Sequence, residues 1–127
     1  MDLVQEQFDR LKACPQYAAA ILKTVSNGTH IVEIPEFQLP AGWSRSKTTV
    51  YFVVPVGYPQ ARPDTFWSDP GLTLTSGATP QSTGANQPQG LPAGLLWFSW
   101  HPRSWNPNAD SLSTYARFIA GRFQERR

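Results

Sequence analysis

The sequence has almost none of the residues that cross-link small proteins: one cysteine, Cys14, and two histidines, His30 and His101, among 127 residues. A single thiol closes no internal disulfide, and this set has no zinc-ligand spacing. The fold is therefore expected to stand without a bridge or a metal, and no cofactor is called for. Long apolar runs are also missing. No stretch approaches the roughly 20 residues that cross a bilayer, and the start, Met-Asp-Leu-Val-Gln-Glu, has neither the basic charge nor the apolar run of a signal peptide. The expectation is a soluble, cytoplasmic protein without a membrane partner. Excess charge of one sign is absent too: eleven basic against nine acidic side chains, net +2, leave no basic footprint for nucleic acid. Residues 71–102 contain no Asp, Glu, Lys or Arg at all.

What is plentiful is aromatic. Five Trp, seven Phe and four Tyr exceed what one small core needs. Such rings serve cores and interfaces alike, and both uses stay open at this point. The length fits one domain, 1–127, large enough to bury roughly two-thirds of its unfolded surface.

Leu3, Gln7, Phe8 and Leu11 recur at helical spacing before Pro15, which predicts a short amphipathic helix over Asp2 to Ala13. Ser26-Asn27-Gly28-Thr29 is a hairpin signal, because Asn-Gly tolerates positive φ. It predicts a strand over Ala20 to Val25 paired with another over His30 to Phe37. In the second strand Val32 and Ile34 alternate with Glu33 and Pro35, predicting one buried and one wet face. Lys47 to Val54 is the third strand.

The stretch from Val50 to Trp67 organises the chain. A β-branched and aromatic run breaks at Pro55, turns through Gly57-Tyr58-Pro59, and resumes after Pro63 as a short aromatic strand. Three prolines fix φ and remove ladder donors, so the corner is stiff, with Tyr58 packed inside it.

The uncharged stretch that follows is rich in turn residues, and a connection of that length is usually functional. Its end, Leu95-Leu96-Trp97-Phe98, is too apolar to float and docks on the core; the order of Thr79 to Gly90 is left open. Leu112, Tyr115, Ala116, Ile119 and Phe123 form the stripe of a terminal helix. Asn108 or Asp110 would cap it, and Arg122, Arg126 and Arg127 would suit a solvated C-terminal end. Antiparallel strands in a meander, a long loop and a final helix make an α+β layout.

The Tyr58-Pro59 corner with Pro63, followed much later by Trp105-Asn106-Pro107, resembles the ubiquitin-conjugating enzymes, in which a Tyr-Pro-x-x-x-Pro corner separates the third and fourth strands and a Trp-x-Pro segment leads into a helix. The nearest resemblance is to the bacterial ubiquitin-conjugating-like group called family E, over about Ile31 to Phe123. It implies a UBC-like fold: an antiparallel meander sheet with an N-terminal helix, a long irregular loop and a C-terminal helix. It also implies a covalent relay. A ubiquitin-like protein is received from a ThiF-like activating enzyme and passed to a target amine, with a metal-dependent deconjugating peptidase as a further associated partner. Several members of the superfamily lack the nucleophile and only bind, so a non-catalytic binding module is the alternative.

This chain departs from the usual pattern: no cysteine lies between Gly71 and Trp105, and no His-Pro-Asn precedes Trp97. Ser99 stands near the place of the missing cysteine, and the resemblance implies that it accepts the acyl group as an oxyester. A hydroxyl needs an adjacent base. His101, two positions on, shares a face with Ser99 in extended chain, and imidazole suits proton transfer near neutral pH. Ser-x-His alone is a weak signal, and no residue to orient the histidine is visible in the sequence. Ser104 is a second candidate nucleophile. Arg103 and Asn106, with backbone N–H groups as rivals, are candidates for an oxyanion or for the incoming tail. Tyr58, Trp67, Trp97 and Trp105 are candidate walls. Cys14, beside Pro15 and outside the resemblance, reads as an inert thiol, and His30 as a solvent-facing strand residue. A serine esterase is disfavoured, since there is no Gly-x-Ser-x-Gly elbow.

Overall fold

The computed structural model describes residues 2–127. Helix α1 (Leu3–Lys12) and a 3-10 turn (Pro15–Tyr17) precede four strands: β1 (Ile21–Thr24), β2 (His30–Gln38), β3 (Lys47–Val54) and β4 (Phe66–Ser68). Then come β5 (Thr83–Gly84), β6 (Leu96–Phe98) and helix α2 (Leu112–Gln124). The six strands form one antiparallel sheet in the order β1-β2-β3-β4-β6-β5. The meander holds through β4, and then the chain skips outward to β5 and returns.

Each element follows from local chemistry. Asp2 accepts from the Val4 amide at 3.0 Å and starts α1, whose buried stripe is Val4, Gln7, Phe8 and Leu11. Gly28, at φ +89°, makes the hairpin turn, and Val25 N–H donates to Thr29 O at 2.9 Å. On the helix side of the sheet, Val32 and Ile34 face Phe52 and Val50 across the β2–β3 ladder, all four with no more than trace exposure. Phe66 stacks on Phe98 at 4.7 Å, and Phe123 from α2 meets both rings edge-on at 5.7 and 5.5 Å. Leu112, Tyr115, Ala116 and Ile119 complete that core, as the apolar periodicity predicts.

Three expectations need correction. The far face of the sheet is not simply wet: Ile31, Tyr51, Trp67 and Leu91 form a second buried cluster there. A strap over residues 85–91 roofs it. Trp67 Nε1 donates to Asn86 O at 2.7 Å, Gln89 Nε2 donates to Ser26 Oγ at 2.7 Å, and Leu91 packs into the cluster. The long loop between β4 and β6 thus supplies a buried Leu72, the two-residue strand β5 and the roof. The cap of α2 is Ser111, not Asn108 or Asp110. Ser111 has extended φ and ψ and forms a reciprocal capping box with Thr114, whereas Asp110 turns back to accept from Asn106 N–H at 2.7 Å. Arg122 is the third: it is buried, not solvated.

Gly90 is where the roof touches the sheet. It sits at φ +94°, and a Cβ there would lie 2.8 Å from Ile31 Cδ1 and 2.9 Å from Val25 Cγ2. Gly90→Ala therefore meets both a left-handed backbone and an overpacked contact, and is expected to destabilise the protein by about 1–3 kcal/mol. Urea unfolding monitored by tryptophan fluorescence checks this; an unchanged midpoint would show that the roof does not bear on the sheet.

Candidate functional site

The proline corner is tied to both helices through one side chain. Tyr58 OH donates to Gln7 Oε1 on α1, and the same oxygen accepts from the Leu112 amide at 3.1 Å at the start of α2. Burial, with the Asp110 carboxylate adding to it, pushes the Tyr58 phenol well above its ordinary pKa, so it stays a donor. Trp105 Nε1 donates to Pro59 O at 2.8 Å, and the Tyr58 and Trp105 rings lie 6.0 Å apart. The two motifs that carry the resemblance thus touch each other.

Ser99 lies along the other flank of the same corner. Trp97, two residues before it, donates from Nε1 to Thr65 Oγ1 at 2.9 Å. His101, two residues after it, places Nδ1 3.8 Å from Asp64 Oδ1. The residues two before and two after Ser99 therefore both contact the bend, and Ser99 itself is exposed. Its amide donates to Ser82 O at 2.8 Å, which anchors its backbone to the end of β5. Asp64 is the acidic partner that the sequence did not disclose. It stands in the Pro63-Asp64 step of the corner, and no spacing rule joins it to His101. Arg62 Nη2 approaches the same Asp64 oxygen at 3.6 Å. The His101 and Asp64 side chains are 57% and 69% exposed, so any attraction between them is screened by water.

Ser104 occupies a different setting. It shares a cavity of about 530 Å³ with Trp100, His101, Arg103, Phe118 and Arg127, and Ser99 does not line that cavity. Arg103 is exposed at its mouth. Asn106 is mainly a turn former: its Oδ1 accepts from Asn108 N–H at 3.0 Å and its carbonyl from Asp110 N–H at 2.7 Å. The four aromatic wall candidates separate into two pairs. Tyr58 and Trp105 meet at the corner, while Trp67 and Trp97 are cross-strand partners on the roofed face. Cys14 is half-buried at the end of α1, with Sγ 3.8 Å from Arg10 O. His30 Nδ1 lies 3.3 Å from Thr24 Oγ1 at the β1–β2 edge. Among the described residues, no group of three or more His, Cys, Asp or Glu side chains is placed to hold a metal ion, and no helix is long and apolar enough to cross a membrane.

Arg122 organises this region from below. Its guanidinium lies 5.0 Å from the Trp100 ring centre, 5.3 Å from Phe98 and 5.9 Å from Trp43. It donates to the carbonyls of Gln81, Glu125 and Arg127 at 2.9, 2.7 and 2.8 Å. Burial lowers its pKa, but a guanidinium stays charged, so carbonyl dipoles and ring faces replace the missing counter-ion. Trp100, held by this cation, sits between Ser99 and His101. Sequence reading placed Arg122 on a solvated terminus because helix-end charge is ordinary; its position on the Ile119–Phe123 side of the helix was the overlooked signal.

A family model described as prokaryotic E2 family E matches residues 18–126. The α+β architecture, two helices with one antiparallel sheet of six strands, is E2-like. No curated protein and no solved structure matches the chain.

Arg122→Met removes a buried hydrogen-bonding hub and is expected to cost about 2–4 kcal/mol, the charge-assisted bonds outweighing relief from burying a cation. Arg122→Lys, lacking the planar fork, is expected to recover less than half of that. Chemical denaturation of the three proteins measures both.

Proposed function

The chain belongs to prokaryotic E2 family E, and from this premise we propose that it carries a ubiquitin-like protein as a serine oxyester between an activating enzyme and a target amine. The observation that carries the reading is the placement of Ser99. It is exposed, backbone-anchored, and bracketed by two residues that contact the proline corner, one of them a histidine beside a carboxylate.

The chemistry runs in two steps. His101 Nε2 takes the Ser99 proton as Oγ attacks the C-terminal acyl carbon of the ubiquitin-like protein, which the activating enzyme presents as a thioester or acyl adenylate. The bond to thiol or AMP breaks, and an oxyester remains. An amine nitrogen then attacks that ester; it gives up a proton through His101, and the Ser99 oxygen leaves as a hydroxyl. Asp64, with Oδ1 3.8 Å from His101 Nδ1, is the group that would steady the Nδ1–H side of the ring and leave Nε2 for the hydroxyl. Arg103 and the backbone N–H groups of Trp100 and His101 are the donors nearest in sequence for the developing oxyanion, since the Ser99 amide already donates to Ser82 O. The activating enzyme consumes the ATP. A ThiF-like protein suits that role, and a metal-dependent peptidase suits removal of the modification.

One observation favours a variant of this reading: Ser104, not Ser99, shares the large cavity with His101. Incubation with the activating enzyme, the ubiquitin-like protein and ATP distinguishes them. The expected adduct withstands thiol reductant, falls to mild alkali, and is absent in Ser99→Ala but retained in Ser104→Ala. The reverse pattern moves the acyl group to Ser104. A reductant-labile adduct lost in Cys14→Ser, or no adduct with binding retained, rejects the relay, the latter in favour of a non-catalytic binding module. Asp64→Asn is expected to slow adduct formation by on the order of ten-fold, less than in an enclosed triad because this pair is open to water.

A further inference from the structure

We infer that the cavity of about 530 Å³ beside Trp100 binds a nucleoside monophosphate, with the base against the aromatic part of its lining and the phosphate at Arg103. A space of that volume is in the range of small-molecule sites. One side of it is the 100–104 segment, and the other is Phe118 of α2 with Glu125 and Arg127 just beyond that helix.

The lining has a flat apolar part and a cationic part. Trp100 and Phe118 supply rings, and Pro102 adds apolar surface. Trp100 is held in place before any ligand arrives, with the Arg122 guanidinium 5.0 Å and the Arg127 guanidinium 5.7 Å from its ring centre. Phe118 in turn packs against Tyr115, the ring centres 5.4 Å apart. A base that stacks on rings already fixed need not order them first. Arg103 is the open charge: it is exposed, and its guanidinium enters no ion pair or hydrogen bond among the described residues. Arg127 is engaged instead. Its Nη2 donates to Glu125 Oε1 at 2.7 Å and its Nη1 to Gln81 Oε1 at 3.3 Å, so Glu125, the single carboxylate of the lining, is paired. The His101 ring and the Ser104 hydroxyl bring further donors to the same lining. A guanidinium fork with two neighbouring donors matches the oxygens of a phosphomonoester.

Other ligands use this lining less fully. An ammonium would face Arg103 and Arg127 with the one carboxylate already occupied. Inorganic phosphate or a lone carboxylate would leave the rings without a partner. An apolar ligand would strip water from an unpaired guanidinium.

The use of the site rests on the reading given above. In that reading a serine Oγ attacks the acyl carbon of an acyl adenylate, the bond from that carbon to the phosphate oxygen breaks, its electron pair stays on AMP, and the serine proton passes to His101. Arg103 would balance the charge added to the phosphate. Occupancy of the site does not depend on that reading. Calorimetric titration of the full chain with AMP at constant ionic strength is expected to saturate, and adenosine and ribose 5-phosphate are each expected to bind at least five-fold more weakly, as for loss of one charged contact or one stacked base. In the ¹⁵N-labelled protein the AMP shifts are expected at the Trp100 indole N–H and the Arg103 and Ser104 amides. Arg103→Gln is expected to weaken AMP at least five-fold and leave adenosine unchanged, and Glu125→Gln, which removes the competing carboxylate, to tighten AMP about two-fold. No saturable binding, shifts confined to other regions, AMP equalled by either fragment, unchanged affinity in Arg103→Gln, or weaker binding in Glu125→Gln would overturn the assignment. The titration needs neither the activating enzyme nor Ser99. Loss of the relay therefore leaves the site standing, and an adduct that forms on a protein without AMP binding removes this site alone.

Discussion

The side-chain amide oxygen of Gln7 is the point on which the architecture turns. It is a buried acceptor that receives both the Tyr58 hydroxyl and the Leu112 amide, joining the first helix, the proline corner and the start of the last helix at one atom. A buried polar atom is tolerable only when satisfied, so the three elements must arrive together or leave that oxygen unpaired. Trp105 then closes on the corner from the other side through Pro59. The residues that carry the family resemblance are positioned by a glutamine that lies outside the matched region, in the first helix.

Arg122 plays the corresponding part at the opposite end of the site. It gathers the strand β5 approach, the chain's last residues and three aromatic rings around one cation. Between these two anchors runs the segment from Trp97 to Trp105, with the candidate nucleophiles on it. Neither anchor donates to a serine hydroxyl; each sets the backbone on which a serine is presented, in keeping with sites carried by loops on a rigid scaffold.

Much of the fold was legible because strong local signals agreed with one another. The Asn27-Gly28 signal located the first hairpin, although only Gly28 takes positive φ and the loop spans three residues and not two; Lys47–Val54 stood out by β-branched content, and the stripe from Leu112 to Phe123 gave the last helix. What escaped notice depended on partners far away in the chain. Thr83–Gly84 is polar and two residues long, and it becomes a strand only because Phe98 and Trp97 offer a ladder. Asp64 reads as a turn residue until the fold sets it beside His101. Ser111 lost to Asp110 as an expected cap, since composition cannot say which residue adopts extended φ just before the first helical turn. Tertiary context also turned Arg122 from a terminal charge into an interior one.

The roof over the sheet explains why some thirty residues do without ionic side chains. Residues 85–91 lie on Ile31, Tyr51 and Trp67 through apolar contact and neutral hydrogen bonds, and any carboxylate or ammonium there would have to shed its hydration to do the same. Interactions of that kind carry no Debye screening and no titration. The covering is therefore indifferent to ionic strength and to acidity across the physiological range, a property that the exposed ion pairs elsewhere on the surface, such as Lys47–Glu36, do not share.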